Sequence, residues 1–256
     1  MLTLISPAKK LNEAPTPPSL PTTTPALLED AESLARTARR LSQKKLRELM
    51  SLSPALAKLN ADRFKQMAIP ARPEATTQAA LLFAGDVFAN LDARGLDAAD
   101  LDFAQRHLGI LSGLYGLLRP LDGIQPYRLE MGTRLATRRG ANLYAYWGDR
   151  ITRRVNQLLD GHEVKLLINR ASKEYFKAVA PASLGAPVLH IGFREYRGGK
   201  PVTISFNAKR ARGMLARYLV EQRVDHPDGL KGFDRAGYAH DAALSDQTTW
   251  TFSRPG

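Results

Sequence analysis

A segment rich in glycine, proline and charged side chains occupies residues 111–135 of the chain. Gly113 and Gly116 bracket a leucine and a tyrosine, and glycine is used where φ is positive or where two backbones approach closely. Two prolines in the segment exclude a long regular element. We therefore predict a stiff loop that displays a site, the alternative being a structural loop with solvated arginines. Its candidate binding groups are Tyr115, Arg119, Tyr127, Arg128, Glu130 and Arg134.

Two further sets of polar residues directly follow stretches that are predicted to be buried strands. Turns at strand ends in α/β sheets are where ligands usually bind, so these residues could converge on one polar cleft. They are Lys9 and Lys10, after the strand Leu2–Ile5, and Ser172, Lys173, Glu174 and Lys177, after a strand at 164–168.

A third cluster, Lys209, Arg210 and Arg212, lies at the beginning of a predicted helix. Lys209 and Arg212 are three residues apart and therefore share a helix face. Cations at a helix start oppose the helix dipole and are disfavoured unless an anion accompanies them. We therefore expect a bound anion here, the alternative being ion pairs with Glu130 or Glu174.

The charge of the chain points to a polyanionic partner. Its 256 residues hold 37 Lys and Arg against 25 Asp and Glu, a formal net charge of +12. The excess lies between Arg119 and Arg217, where 19 basic residues face 7 acidic ones. Such a field attracts nucleic acid, the alternative being a merely basic surface.

Composition also excludes several classes of function. There is no cysteine, which excludes disulfides, thiolate zinc sites and peroxide-sensing thiols. The five histidines share no metal-like spacing, and P-loop, dinucleotide, zinc-protease and serine-hydrolase motifs are absent from the sequence. No stretch is apolar enough to span a bilayer. We expect a cytoplasmic protein with no membrane partner, no metal and no cofactor.

Hydrophobic periodicity predicts the elements that must position these residues. Residues 26–67 are predicted as helices, and the proline-rich stretch 12–25 as an extended connector. Further helices are predicted at 76–91, 96–111, 143–159 (capped by Asn142) and from Asn207 onward, and strands at 2–5, 164–168, 187–196, 201–206 and 248–252. The predicted fold class is mixed α/β: one compact domain, residues 1–256, with a helical N-terminal part and a mixed sheet.

The central segment also carries a resemblance. The residues Gly113-Leu114-Tyr115-Gly116, after the apolar run 108–111, resemble the hairpin of a helix-hairpin-helix, whose backbone amides hold a nucleic-acid phosphate. With five other segments, the hairpin makes the chain similar over nearly its whole length to the YaaA family of bacterial peroxide stress proteins. These segments are 5–10 (ISPAKK), 83–87 (FAGDV), 146–150 (YWGDR), 174–177 (EYFK) and 208–213 (AKRARG).

The resemblance implies a compact α/β fold with a helix-hairpin-helix and a positively charged cleft. It also implies DNA binding, protection of cells under peroxide stress and an effect on intracellular free iron. We expect sequence-tolerant DNA binding, with the oligomeric state left open. The residues expected to bind DNA are Lys9, Lys10, Gly113, Tyr115, Gly116, Arg119, Arg128, Arg134, Lys173, Lys177, Lys209, Arg210 and Arg212.

A different class of protein fits the same residues. An enzyme that acts on a nucleotide or another phosphorylated small molecule would use the same cleft, with Glu130 or Glu174 as the general acid–base and Ser172 beside them. The sequence leaves open whether the cleft performs a reaction. A third class, a non-catalytic iron-handling protein, is not favoured by the scattered histidines.

Overall fold

The first half of the chain is mainly helical. The structure, a computed structural model, describes residues 1–14 and 20–256. Its elements in this half are β1 (Leu2–Ile5), α1 (Leu28–Arg39), α2 (Gln43–Met50), α3 (Pro54–Gln66), β2 (Thr77–Gln78), α4 (Ala79–Leu82), α5 (Asp86–Leu91) and α6 (Ala98–His107).

The second half supplies most of the sheet. Its elements are β3 (Leu108–Ser112), β4 (Gly116–Leu118), β5 (Gly123–Ile124), α7 (Leu143–Trp147), α8 (Arg150–Asp160), β6 (Leu167–Asn169), α9 (Lys173–Phe176), β7 (Val188–Arg197), β8 (Lys200–Val202), α10 (Ser205–Glu221), β9 (Ala239–Asp241) and β10 (Thr249–Pro255).

The helix boundaries follow from local sequence chemistry. Ser42 and Ser53 cap α2 and α3 by accepting hydrogen bonds from backbone amides in the first turn. Asn142 caps α7 in the same way, as predicted, through the Ala145 amide. The helix predicted at 143–159 is interrupted at Gly148, whose φ is +52°, so α7 and α8 are separate helices.

The predicted helix at 76–91 is wrong in extent. The segment forms the short strand β2, the single turn α4 and then α5. Phe83 is extended with ψ at 132°, and Gly85 precedes α5 in an extended conformation. Apolar content predicted a buried segment correctly, but it does not distinguish one helix from several short elements.

A mixed sheet organises the molecule. Strands β3, β1, β6, β7 and β10 lie side by side in this order and run parallel. The antiparallel strands are β4 on β3, β9 on β10, and β8 on the end of β7. Parallel strands direct their carboxyl ends to one edge, so the loops after β1, β3 and β6 meet there. The mixed α/β prediction is confirmed.

Both faces of the sheet are covered. Leu2 and Leu4 pack into a large cluster with the N-terminal helices and with the fully buried Trp147. On the other face, Leu215 of α10 packs with Phe252 of β10. Buried parallel strands covered on both faces are the arrangement expected of an α/β domain.

The connector predicted at 12–25 is described in part, since residues 15–19 lie outside the described residues. On its C-terminal side, Thr23 is fixed by the segment after β4. The Thr23 amide donates to the Leu121 carbonyl at 2.8 Å, and its hydroxyl donates to Asp122 Oδ1 at 2.7 Å. This part of the connector is therefore bound to the core.

Candidate functional site

The loops after β1 and β6 are bound to each other at the carboxyl edge of the sheet. These strands are adjacent and parallel, with Leu4 opposite Asn169, so the residues that follow them leave from one place. The Ser172 amide donates to Ser6 Oγ at 2.8 Å, and the two hydroxyls lie 3.4 Å apart. The predicted convergence of the two strand ends is therefore observed.

Glu130 connects the loop after β1 to the central segment. Its Oε1 lies 3.4 Å from Lys9 Nζ and 2.9 Å from Arg128 Nη2, and it accepts a hydrogen bond from Arg128 Nε at 3.0 Å. Glu130 and Arg128 are largely buried, whereas Lys9 is mostly exposed. Two cations are therefore held in place by one carboxylate.

Glu174 performs the corresponding function for the loop after β6. Its Oε1 accepts a hydrogen bond from the Gly132 amide at 2.9 Å, and its carbonyl oxygen accepts one from Tyr144 Oη at 2.9 Å. Lys177, one turn later, places its ammonium 5.0 Å from the centre of the Tyr144 ring. This geometry is that of a cation–π contact.

We call the surface formed by these loops and the adjoining face of α10 the strand-end surface. It contains exposed cations that form no ion pair with any residue in the described ranges, namely Lys173, Lys177 and Lys209. Arg134, two residues after Gly132, is likewise exposed and unpaired there. The surface consists of Ser6, Lys9, Arg128, Glu130, Arg134, Ser172, Lys173, Glu174, Lys177, Lys209 and Arg212.

Beneath this surface lies a buried arginine. Arg170, directly after β6, is 2% exposed. Its three guanidinium nitrogens are covered and have no hydrogen-bond partner in the described part of the chain, and neither has Nε of the nearby Arg212. Burial, and then the positive charge of Arg212, lower the pKa of the Arg170 guanidinium well below its usual range.

The sequence analysis left open that Glu130 or Glu174 neutralises the cations of α10, and the structure does not show these ion pairs. Lys209 and Arg212 form no ion pair with Glu130 or Glu174, whose carboxylates bind Lys9, Arg128 and the Gly132 amide. Burial lowers the pKa of Arg212. The expectation of an accompanying anion stays a prediction.

The helix-hairpin-helix prediction is wrong. The Gly113–Gly116 turn joins strands β3 and β4, with Ser112 paired to Gly116 and Ile110 to Leu118. The predicted helix at 96–111 ends at His107, and its last apolar residues form β3. A short apolar run before a turn suits a buried strand as well as a helix, and the sheet provides the partner strands.

This turn is a part of the core. A Cβ on Gly113 would lie 2.2 Å from the Leu129 carbonyl oxygen, and the Gly113 carbonyl accepts a hydrogen bond from the Trp147 indole. Gly116 has a φ of +71°, against the Trp147 ring. Because the turn is buried, its amides are not accessible to a DNA backbone, which corrects the expectation that Gly113 and Gly116 contact DNA.

Tyr115 is likewise a core residue. It is 3% exposed, and its hydroxyl accepts a hydrogen bond from the Gln125 amide at 3.1 Å. Burial raises the pKa of this hydroxyl to about 12. The ring also packs edge-on against Tyr127 at 5.5 Å, so the side chain is not available to a macromolecular ligand.

Three more of the predicted DNA contacts point elsewhere. Arg119 pairs with the buried Asp122 at 2.9 Å and lines a cavity of about 540 Å³ with Met1, at the opposite edge of the sheet. Lys10 lines a separate cavity beside α5. Arg210 lies over the Phe206 ring at 5.7 Å on another face of α10. The direction of β4 accounts for the position of Arg119, and the position of Arg210 around the helix axis accounts for its direction.

The catalytic candidates are placed together, but in supporting contacts. Ser172 Oγ contacts Ser6, and Glu130 and Glu174 bind the cation and amide partners described above. No group of three His, Asp or Glu side chains in residues 1–14 and 20–256 is arranged to hold a metal ion. In the same residues, no helix is both long enough and apolar enough to cross a membrane.

Sequence reasoning did not place Arg170 in the site. The available signal was its position, directly after a buried strand at the sheet edge where α/β proteins bind ligands. Its complete burial depends on how α10 covers that edge, which periodicity does not reveal. The buried arginine is therefore a finding of the structure.

The fold and the site define a class: a mixed α/β domain with a basic surface at the carboxyl ends of its parallel strands. Comparison with known proteins gives the family. The model of the peroxide stress protein YaaA family matches residues 1–244. A UPF0246 protein of Burkholderia vietnamiensis is 50% identical over 99% of this chain and 98% of its own length. Another from Caulobacter vibrioides is 48% identical over 100% and 99%. The chain belongs to the YaaA family of peroxide stress proteins.

Proposed function

We propose that this protein binds DNA through the strand-end surface, as part of the peroxide stress response that defines its family. The carrying observation is the set of exposed cations, Lys173, Lys177, Lys209 and Arg134, that no described carboxylate pairs with. Unpaired surface cations are the groups that neutralise phosphates and release condensed counterions. A cation that already pairs with a carboxylate contributes less to the affinity for DNA.

Binding of this kind is sequence-tolerant. Contacts to phosphates fix the position of a protein on DNA but read no bases. The strand-end surface is built of loops and the side of α10, and the turn that resembled a nucleic-acid hairpin is buried. We therefore expect the affinity for duplexes of different sequence to agree within a few-fold.

The proposal also includes the protection of cells under peroxide stress and the effect on intracellular free iron that the resemblance implies. Both are expected to depend on the same cations. In peroxide-stressed cells that lack the protein, a variant without Lys173 and Lys209 should restore neither survival nor the level of free iron. If that variant restores both in full, DNA binding by this surface is not what protects the cells.

The direct test is fluorescence anisotropy with a short duplex at increasing salt. Wild-type affinity should fall with a log–log slope of several units. The double variant Lys173→Gln/Lys209→Gln should reduce this slope by about two, one for each lost phosphate contact. An affinity that does not change between low and moderate salt would refute the proposal.

The matched control removes the same charge elsewhere. Lys44 in α2 and Lys65 in α3 are exposed, lie on the N-terminal helices and form no salt bridge with a described residue, although the charge of Lys65 helps to lower the pKa of Asp62. The variant Lys44→Gln/Lys65→Gln has the same net charge as Lys173→Gln/Lys209→Gln. If both double variants weaken binding equally, only net charge matters and the strand-end surface has no special role.

The alternative function, an enzyme that acts on a phosphorylated small molecule, is less well supported than DNA binding. A general acid–base must exchange its proton with a substrate, whereas Glu130 is bound by Lys9 and Arg128, and Glu174 by the Gly132 amide. Ser172 Oγ contacts the Ser6 hydroxyl, and no base among the described residues activates it. A folded Glu130→Gln protein that binds DNA normally and fails to protect cells would reverse this order.

A further inference from the structure

The guanidinium of Arg170 is an uncompensated buried charge. Among residues 1–14 and 20–256, no other charged side chain has all of its polar side-chain atoms both covered and without a partner. Removing an ion from water without a counter-charge costs several kcal/mol. A compensating group is therefore needed, and the described carboxylates do not supply it.

Arg212 adds a second cation at the same place. It is half-buried, its Nε is covered and unpartnered, and no acceptor of a described residue binds its guanidinium. Ile168, two residues before Arg170, packs in one cluster with Ala208 and Ala211 of α10, in the part of the helix that carries Arg212. The positive charge of Arg212 accordingly lowers the pKa of Arg170 further. Two like charges held together near a ligand-binding edge of a sheet are stable when an anion lies between them.

We propose that Arg170 and Arg212 form a binding site for a single phosphate group with two negative charges, beneath the strand-end surface. A dianion would neutralise the two guanidinium charges. The planar guanidinium presents a fork of N–H donors whose spacing matches phosphate oxygens. Arg212, which is partly exposed, lies on the side from which the anion enters, and Arg170 lies on the buried side of the site.

The burial of Arg170 selects the kind of phosphate. An internal phosphodiester carries one charge and a sugar on each side, which suits the exposed lysines above. A phosphate that has a free end can reach an enclosed guanidinium. Such a group is found in inorganic phosphate, in a mononucleotide and at the 5′ end of a DNA strand. The site therefore goes beyond the backbone contacts proposed above and does not depend on them.

The test is thermal unfolding in chloride and in phosphate at equal ionic strength. Wild-type Tm should rise by roughly 5–10 °C when inorganic phosphate is at a hundredfold excess over its Kd. Arg170→Leu should lose this response. Its Tm in chloride should equal or exceed that of the wild type, because the unpaired buried charge is gone. Arg212→Leu should also lose the response.

Arg210→Leu is the matched control, since Arg210 lies on the same helix and contacts Phe206 on another face. It should keep the full response to phosphate. A wild-type Tm that does not respond to phosphate would overturn the proposal, and so would an Arg170→Leu protein that responds like the wild type. If Arg170→Leu does not fold, titration calorimetry of phosphate into wild-type and Arg212→Leu protein decides: equal binding by both overturns the site.

Oligonucleotides identify the source of the phosphate. A single strand with a 5′-phosphate should bind at least tenfold more tightly than the 5′-hydroxyl form if the site takes DNA ends. Equal binding of both strands, together with competition by inorganic phosphate or AMP at the arginine pair, supports a free phosphate ligand. Duplexes without terminal phosphates measure the DNA proposal alone, so either proposal can fail while the other stands.

Discussion

The substitution Gly113→Ala tests whether the central turn is structural. In the folded chain, an alanine Cβ at this position would lie 2.2 Å from the Leu129 carbonyl oxygen and 3.0 Å from the Glu130 carbonyl carbon. Both are backbone atoms, so a flexible side chain cannot relieve the clash. Relief requires a shift of the strand–turn backbone, for which overpacking costs about 3 kcal/mol are appropriate. For a chain of this length that corresponds to a decrease in Tm of roughly 6–12 °C.

The assay is thermal unfolding followed by circular dichroism, with Gly192→Ala as the control. Gly192 lies in β7, and its added Cβ would meet Thr251 Oγ1 at an ordinary 3.5 Å, so its Tm should change little. For Gly113→Ala, the change in the free energy of DNA binding, measured well below its Tm, should be smaller than the change in the free energy of unfolding. An unchanged Tm with a large loss of DNA affinity would refute the buried turn and restore an exposed phosphate-binding hairpin.

Two further predictions concern titratable groups. Glu130→Gln should lower the free energy of unfolding by about 1–3 kcal/mol, because Arg128 loses its buried partner. DNA affinity should stay equal or increase, since a negative charge is gone; melts and anisotropy check both. Burial, and then the N-terminal amino group, lower the pKa of His162 to about 4. The unfolded state therefore takes up the proton first, so this contribution to stability is present above the unfolded pKa of about 6.5 and is lost toward pH 4, a decrease of roughly 1–2 kcal/mol after allowance for solvent screening. Denaturant titrations should show a shallower decline for His162→Gln; identical profiles would contradict the shift.

The strand ends could be predicted because local sequence determines them. The runs 2–5 and 164–168 are rich in leucine and isoleucine and end before Ser6 and near Ser172, and adjacent parallel strands bring such residues together. Their contact at 2.8 Å confirms this. Asn142 was predictable for the same reason, since a cap depends only on residues within one helical turn.

The central turn could not be predicted because its conformation depends on distant partners. The run 108–111 is short and apolar, and periodicity does not distinguish a buried strand from a helix over four residues. Residues 108–111 form a strand because they pair with β1, which lies more than 100 residues earlier in the chain. A second pairing places Arg119 toward the opposite edge, because β4 runs antiparallel to β3 and ends near the residue where β3 begins.

The acidic residues of the strand-end surface explain how a basic site can be rigid without losing its charge. Glu130 joins the loop after β1 to the central segment through Lys9 and Arg128, and Glu174 joins the loop after β6 to Gly132. Glu130 neutralises cations that already support the loops, whereas Glu174 binds a backbone amide and neutralises no described cation. The remaining cations stay free, so the positions of the loops are fixed by one set of charges and the field toward solvent comes from another. Sites whose geometry is fixed before binding lose less conformational entropy when a ligand arrives.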